Sequence, residues 1–415
     1  MKKTERDFII RLIKREVVPA IGCTEPIAVA LCVSKAARLL GKEPEKIKVL
    51  LSANILKNAM GVGIPGTGMI GLPIAVALGA LAGNPDYQLE VLKDITSDDV
   101  ERGKQVIAEN RIDIQLKENI AEKLYIEVIM SAGPDETTAI ISGGHTCFVY
   151  EARNGNVLLD ERISAVAEES EEDGSLSLRK VYDFALTAPL EEIDFILDSA
   201  RLNKAAAEAS FKGDYGHSLG KSLRNDNERR VMGDSVFTRI LSYTSGACDA
   251  RMAGAMIPVM SNSGSGNQGI AATLPVVVYA EENQKSREEM IRALVLSHLT
   301  VIYIKQSLGR LSALCGCVVA ATGSSCGITY LMGGGYEEMT YAVKNMVANL
   351  TGMICDGAKP SCAMKLTSGV STAVFSAMLA MEHKCVTAVE GIIENDVDRT
   401  IHNLTRIGAQ GMNET

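Results

Sequence analysis

Five of the ten cysteines fall between residues 315 and 362: Cys315, Cys317 and Cys326 in LSALCGCVVAATGSSCG, and Cys355 and Cys362 in CDGAKPSC. Thiolate sulfurs ligate iron-sulfur clusters, and a Gly or Pro beside a ligand lets the backbone bend around an inorganic core and donate N–H groups to its sulfides. CDGAKPSC has that character, although buried helix cysteines would produce the same spacing. A sixth cysteine, Cys23 in PAIGCTEP, precedes a helix expected to begin near Pro26. Backbone N–H groups and the positive dipole end at that turn would lower its pKa; a buried free cysteine at a helix start is the alternative. Glu25 either caps this helix or faces a substrate ammonium.

The third chemical segment is SNSGSGNQG, Ser261 to Gly269, placed between Pro258 and an apolar helix. Its three glycines allow main-chain N–H groups to approach an anion at a helix N-terminus, and Ser263, Ser265 and Asn267 add side-chain donors. A small carboxylate fits such a nest; a plain Gly-rich turn is the alternative. Lys57 and Asn58, beside GVGIPGTG, are further candidates for polar contact with a substrate. The five histidines show no Cys-His or H-x-x-x-H spacing, so zinc is not supported and each reads as structural. Arg251, Lys359 and Lys365 lie near these segments, and a solvated face is the default explanation for each.

CDGAKPSC, together with a cysteine in a Gly/Ala-rich helix start upstream, resembles the cluster-binding region of the iron-sulfur-dependent L-serine dehydratase superfamily. PAIGCTEP and NILKNAMGVGIPGTG are similar, more specifically, to its L-cysteine desulfidase branch, so that the likeness runs from Pro19 to Cys362. The resemblance implies that three cysteines hold a 4Fe-4S cluster and leave one iron open to substrate. By position these are Cys315, Cys355 and Cys362, with Cys317 the competitor of Cys315. It also implies that Cys23 takes the α-proton of a small amino acid and that the Ser261–Gly269 segment receives its carboxylate. The activity implied is β-elimination of L-cysteine to pyruvate, ammonia and sulfide. L-Serine dehydration is the runner-up, since both substrates present a β leaving group on one carbon framework.

The elements needed to position these residues can be read from periodicity. Phe8, Ile9, Leu12 and Ile13 repeat at helical spacing within residues 5–16, and a second helix is expected over residues 28–40. PIAVALGALAG reads as a buried helix. From residue 86 charged residues return: VERGKQVIAEN reads as a surface helix, and LYIEVIMSAG and ETTAIISGGHTCFVYEARNGNVLLDER as strands with an RNGN hairpin turn. The acidic EESEEDGS would then be a surface linker. Beyond residue 178 the pattern is helix after helix, with EEMIRALVLSHLTVIYIKQSLG and EEMTYAVKNMVANLTGMI the clearest. The expected fold is α+β: a mainly helical catalytic domain, residues 1–85 and 178–415, interrupted by a smaller α/β domain over residues 86–177.

At 415 residues the chain can bury a sizeable core without a disulfide framework. A net charge of -9 argues against a nucleic-acid groove. The charge-free stretches 58–85, 252–280 and 311–336 raise the possibility of a transporter with broken helices. Gly, Ser and Pro interrupt them, aromatic belts are missing and the intervening segments are charged, so buried loop-helix junctions are expected instead. A PLP-dependent eliminase is a further rival, because SGSGNQG could cradle a phosphate, but no Schiff-base lysine motif stands out. A cluster-bearing sensor without catalysis is another. The N-terminus does not read as a signal peptide, and cytoplasmic localisation is expected, with a small molecule as partner, neither nucleic acid nor membrane, and a homodimer as one option.

Overall fold

The computed structural model describes residues 1–120, 122–162, 176–225, 231–309 and 312–412. It is mainly helical with one six-stranded sheet, an α+β architecture. The acidic EESEEDGS segment lies outside the described residues.

Helix α1 (Lys3–Glu16) turns Ile9, Leu12 and Ile13 inward, as its periodicity predicts. A two-residue strand β1 (Pro19–Ala20) and a left-handed Gly22 (φ 72°) lead into α2 (Thr24–Leu40), which Gly41 ends in the αL conformation. Strand β2 (Lys46–Leu51) alternates, burying Ile47, Val49 and Leu51. Helices α3 (Ala53–Ala59), α4 (Leu72–Leu81) and α5 (Ser97–Ala108) form the crossover to β3 (Ile112–Leu116), which pairs parallel to β2. Strands β4 (Tyr125–Ala132), β5 (Asp135–Ser142), β6 (Phe148–Arg153) and β7 (Asn156–Asp160) continue as an antiparallel meander in the order β3-β2-β4-β5-β6-β7. The expected RNGN turn closes β6 onto β7, with Asn154 and Gly155 both at positive φ.

The partition differs from the expected one at its N-terminal boundary. One apolar core joins Ile27 to Val33 of α2, Val49 and Leu51 of β2, and Ile74 and Val76 of α4 to Ile126, Val128 and Ile141 of the sheet. Helix α2 is buried along almost its whole length because it lies between β4 and β5 on one side and α4 on the other. The sheet unit therefore begins well before residue 86. Composition misplaced the boundary because a helix covered on both sides carries no polar face.

The second core is helical. It is built by α6 (Leu178–Thr187), α7 (Leu197–Lys212), α8 (Val236–Met252), the short strand β8 (Val259–Met260), α9 (Gly266–Glu282), α10 (Arg287–Leu308), α11 (Gly316–Leu331), α12 (Tyr336–Leu350), α13 (Cys362–Met381) and α14 (Val397–Arg406), with shorter turns between them. Helix α11 is central, packed by α9, α10, α12 and α13. This surrounding accounts for the charge-free stretch 311–336, since a helix enclosed by four others is apolar all round. One helix among the described residues, Cys362–Met381, is long and apolar enough to cross a membrane by length and composition, and half of it is buried inside the protein.

Candidate active site

Three junctions, two of them between backbone strands, bring distant segments to one place. Strand β1 pairs antiparallel with β8, and Ser261 N–H donates to the Val18 carbonyl (2.8 Å). The Cys23 turn is thereby fixed to the SNSGSGNQG segment, and the Thr24 hydroxyl donates to the Gly264 carbonyl (3.3 Å). An isolated bridge joins Leu314 to Ile354: Cys315 N–H donates to Met353 O (3.0 Å) and Cys355 N–H to Ala313 O (2.6 Å). Finally, Lys57 Nζ donates to the Cys355 carbonyl (3.1 Å), tying α3 to the CDGAKPSC loop.

These junctions enclose a cavity of about 110 Å³ whose walls include Cys23, Glu25, Asn58, Ser263, Ser265, Asn267, Cys315, Cys355 and Cys362. Every candidate residue from the sequence except Lys57 is on that wall. Lys57 stands behind it, holding the backbone of Cys355. Residues not singled out as site residues also line it: Arg251, Gln268, His145, Lys305 and Lys365. His145, in the β5–β6 loop, carries the sheet unit to the cavity.

The segment 262–265 is a two-residue turn in which Asn262 and Ser265 exchange backbone hydrogen bonds (3.1 and 3.0 Å) and Ser263 and Gly264 take positive φ. Ser265 is the N-cap of α9, its hydroxyl accepting from Gln268 N–H (3.4 Å). Beneath the turn, buried His298 accepts at Nδ1 from the Asn262 amide (3.0 Å) and contacts Thr273 Oγ1 through Nε2 (3.0 Å). Burial pushes its pKa down to about 3, so the imidazole is neutral.

The helix expected after Cys23 exists, and Cys23 is its N-cap residue, but the expected lowering of the thiol pKa is not found. Cys23 is buried, its Sγ donates to Glu25 Oε2 (2.9 Å), and its pKa is pushed well up, first by burial and then by the Glu25 charge. The Arg251 charge acts in the opposite direction and is outweighed. Glu25 also accepts from the Thr24 hydroxyl (3.0 Å) and the Asn58 amide (3.2 Å). The Cys23 thiol therefore keeps its proton and presents it to a buried carboxylate.

Cys315 is the N-cap residue of α11, and Cys362 opens α13. The loop between Cys355 and Cys362 turns at Gly357 (φ 106°), where an added Cβ would lie 2.3 Å from the Lys57 carbonyl oxygen. Asp356 pairs with both Lys359 and Lys365, which hold its carboxyl well below the usual range. Lys365 also donates to the Ile354 carbonyl (2.8 Å). Burial, then the neighbouring Cys355, pushes the Cys315 thiol up to about 12, and the Cys362 thiol is raised by burial. Cys317 is also on the wall, but its thiol donates to the Lys365 carbonyl (3.2 Å) and occupies the space left by Gly369. Cys326 is buried away from the cavity within α11. All ten cysteines are free.

Among the described residues no three His, Cys, Asp or Glu side chains converge closely enough to hold a single metal ion. Cys315, Cys355 and Cys362 instead line one cavity, the first from the start of α11 and the other two from the ends of the CDGAKPSC loop. Cys315 is buried and Cys355 and Cys362 are partly buried, and three cysteines on one wall are a donor set of the kind that holds an iron-sulfur cluster.

Arg251 corrects the sequence reading outright. It is only 3% exposed, at the end of α8, with Nη1 donating to Asn267 Oδ1 (3.0 Å). Its signal was present in the sequence only as a cation ten residues before the SNSGSGNQG segment.

A family model for the serine dehydratase alpha chain matches residues 86–415. Similar proteins include a UPF0597 protein of Bacteroides fragilis, 75% identical over 415 residues, spanning all of this chain and 97% of the relative. A UPF0597 protein of Porphyromonas gingivalis is 58% identical over 421 residues (100% and 97%), and one of Aeromonas hydrophila 44% identical over 418 residues (100% and 95%). The chain belongs to the serine dehydratase alpha chain family.

Proposed function

We propose that the chain is a lyase that eliminates the β substituent of a small α-amino acid, with L-cysteine the preferred substrate. The reading is carried by one observation: the buried Cys23–Glu25 pair lines the same cavity as Cys315, Cys355 and Cys362. An elimination needs a base on one side of the substrate and an electrophile for the leaving group on the other.

Cys315, Cys355 and Cys362 would hold a 4Fe-4S cluster, which when bound supplies a Lewis acid at an iron without a protein ligand. The remaining work falls to the protein's own side chains. Cys23 sulfur takes the α-proton as its own proton passes to Glu25 along the existing 2.9 Å contact, so that no free thiolate has to form first. The Cα–H electrons form the Cα–Cβ double bond as the Cβ–S bond breaks, and sulfide leaves. The released aminoacrylate is hydrolysed by water to pyruvate and ammonia. The turn at Ser263 and Gly264 and the first turn of α9 bind and orient the carboxylate, and the buried walls keep bulk water from the base. Asn58 fixes the Glu25 carboxylate.

L-Serine is the second reading, favoured by the family description; loss of hydroxide in place of sulfide uses the same groups. Anaerobic reconstitution with iron and sulfide, followed by assay of pyruvate with either amino acid and of sulfide with L-cysteine, separates the two. A preparation that binds no iron and releases pyruvate from neither would end the proposal.

A further inference from the structure

Among the described residues, the buried polar atoms of the cavity wall that lack a hydrogen-bond partner include two of opposite kinds on neighbouring stretches of α8 and α9. Arg251 Nε is an unused donor and Gln268 Oε1 an unused acceptor. Both side chains are at least nine-tenths buried, at 3% and 4% exposure. Leaving such groups unmade costs more than an average hydrogen bond gains, and an unpaired buried charge costs most. Among the described residues Arg251 forms no ion pair; its one hydrogen bond goes to the neutral Asn267 amide. Its place is nevertheless built. Gly266 lies against the guanidinium so closely that a Cβ there would come within 2.2 Å of Nε, and Gly316 leaves similar room for the Gln268 amide, at 2.9 Å from Cδ.

A ligand that satisfies both atoms must bring an anion to one and an N–H donor to the other across a small cavity. Sulfate or a simple carboxylate such as acetate supplies only the first. An α-amino acid in its zwitterionic form carries both on adjacent atoms, and a guanidinium fork matches a carboxylate in geometry as well as charge. We propose that Arg251 binds the α-carboxylate of the substrate and that Gln268 accepts from its ammonium. The proposal rests on the amino-acid lyase reading above and names the residues that select that substrate class.

The test uses the anaerobically reconstituted full-length protein and ligands that have no leaving group, so that binding is read whether or not any amino acid is turned over. Calorimetric titration compares L-alanine, L-alaninamide, which lacks the carboxylate, and propionate, which lacks the ammonium. The wild type is expected to bind L-alanine about tenfold or more tightly than either. R251Q should lose the preference over L-alaninamide, R251K should keep part of it, and Q268L should lose mainly the preference over propionate. Iron content and melting temperature are measured on each variant. A wild type that shows no preference overturns the proposal. So does R251Q that keeps the preference, or R251Q and R251K that lose iron while the wild-type order of ligands is retained in the fraction still loaded, because Arg251 would then serve the cluster instead.

Discussion

The Cys23 thiol and the Glu25 carboxylate meet at 2.9 Å in the first turn of α2, with the thiol as donor. Burial holds the proton on sulfur, and the carboxylate's charge adds to that effect. Replacing Glu25 by Gln removes the charge and keeps the shape. The midpoint for alkylation of Cys23 by iodoacetamide should then fall by about one pH unit or more, while pyruvate formation drops sharply because the proton has lost its acceptor. Mass mapping of the labelled cysteine against pH reads the first effect. An unchanged midpoint would mean that burial alone sets this thiol.

The four wall cysteines of the C-terminal half are not equivalent. Cys317 is committed to the Lys365 carbonyl and packed against Gly369, whereas Cys315 sits at the N-cap of α11 with no side-chain cap bond. Alanine at Cys315, Cys355 or Cys362 should cut iron retained after anaerobic reconstitution and desalting by about tenfold or more. Alanine at Cys317 should leave most of it and lower stability by about 1 kcal/mol through lost packing. Iron quantitation and visible absorbance decide the matter, and a colourless C317A beside a brown C315A would reverse the assignment.

The sequence made most of the cavity wall legible, for a physical reason. Cys23, Ser263, Ser265, Asn267, Cys355 and Cys362 all lie in Gly- or Pro-punctuated turns at helix starts, and such turns are both recognisable and chemically exposed. Arg251, Gln268 and His145 were hidden because their importance comes from burial by segments far away in the chain. Arg251 is polar in composition but enclosed by Gly266 and Asn267; no local pattern records that. The sheet boundary failed similarly. Strand β2 has a period of two and is short, and its partners β3 and β4 arrive more than sixty positions later.

Asp356 acts as a clasp on the CDGAKPSC loop, engaging Lys359 within the loop and Lys365 beyond it. Both pairs are partly exposed, so their removal should change global stability little. Their effect is local: Lys365 also holds the Ile354 carbonyl beside Cys355. Asp356→Asn should therefore leave the melting temperature within a few degrees of wild type while iron is lost several-fold faster to a chelator such as bathophenanthroline. Equal rates of loss in the two proteins would show that Gly357 and the Leu314–Ile354 bridge suffice to shape the loop.

His298 lies under the Asn262–Ser265 turn, and its protonation would break the turn's support. As a neutral ring it accepts from Asn262 at Nδ1; a protonated ring would set two donors against each other there. Its folded pKa, about 3, is depressed by burial from an unfolded value of about 6.5. Below pH 6.5 the unfolded chain therefore takes up a proton that the folded chain refuses until about pH 3. Stability is full above 6.5 and declines as pH falls through that window, at up to about 1.4 kcal/mol per pH unit from this group. His298→Gln should be less stable than wild type at pH 7, by about 2 kcal/mol, yet show a flatter decline toward pH 4. Urea midpoints at pH 7, 6, 5 and 4 for the two proteins give the comparison, and parallel declines would show that the acid sensitivity arises from other groups.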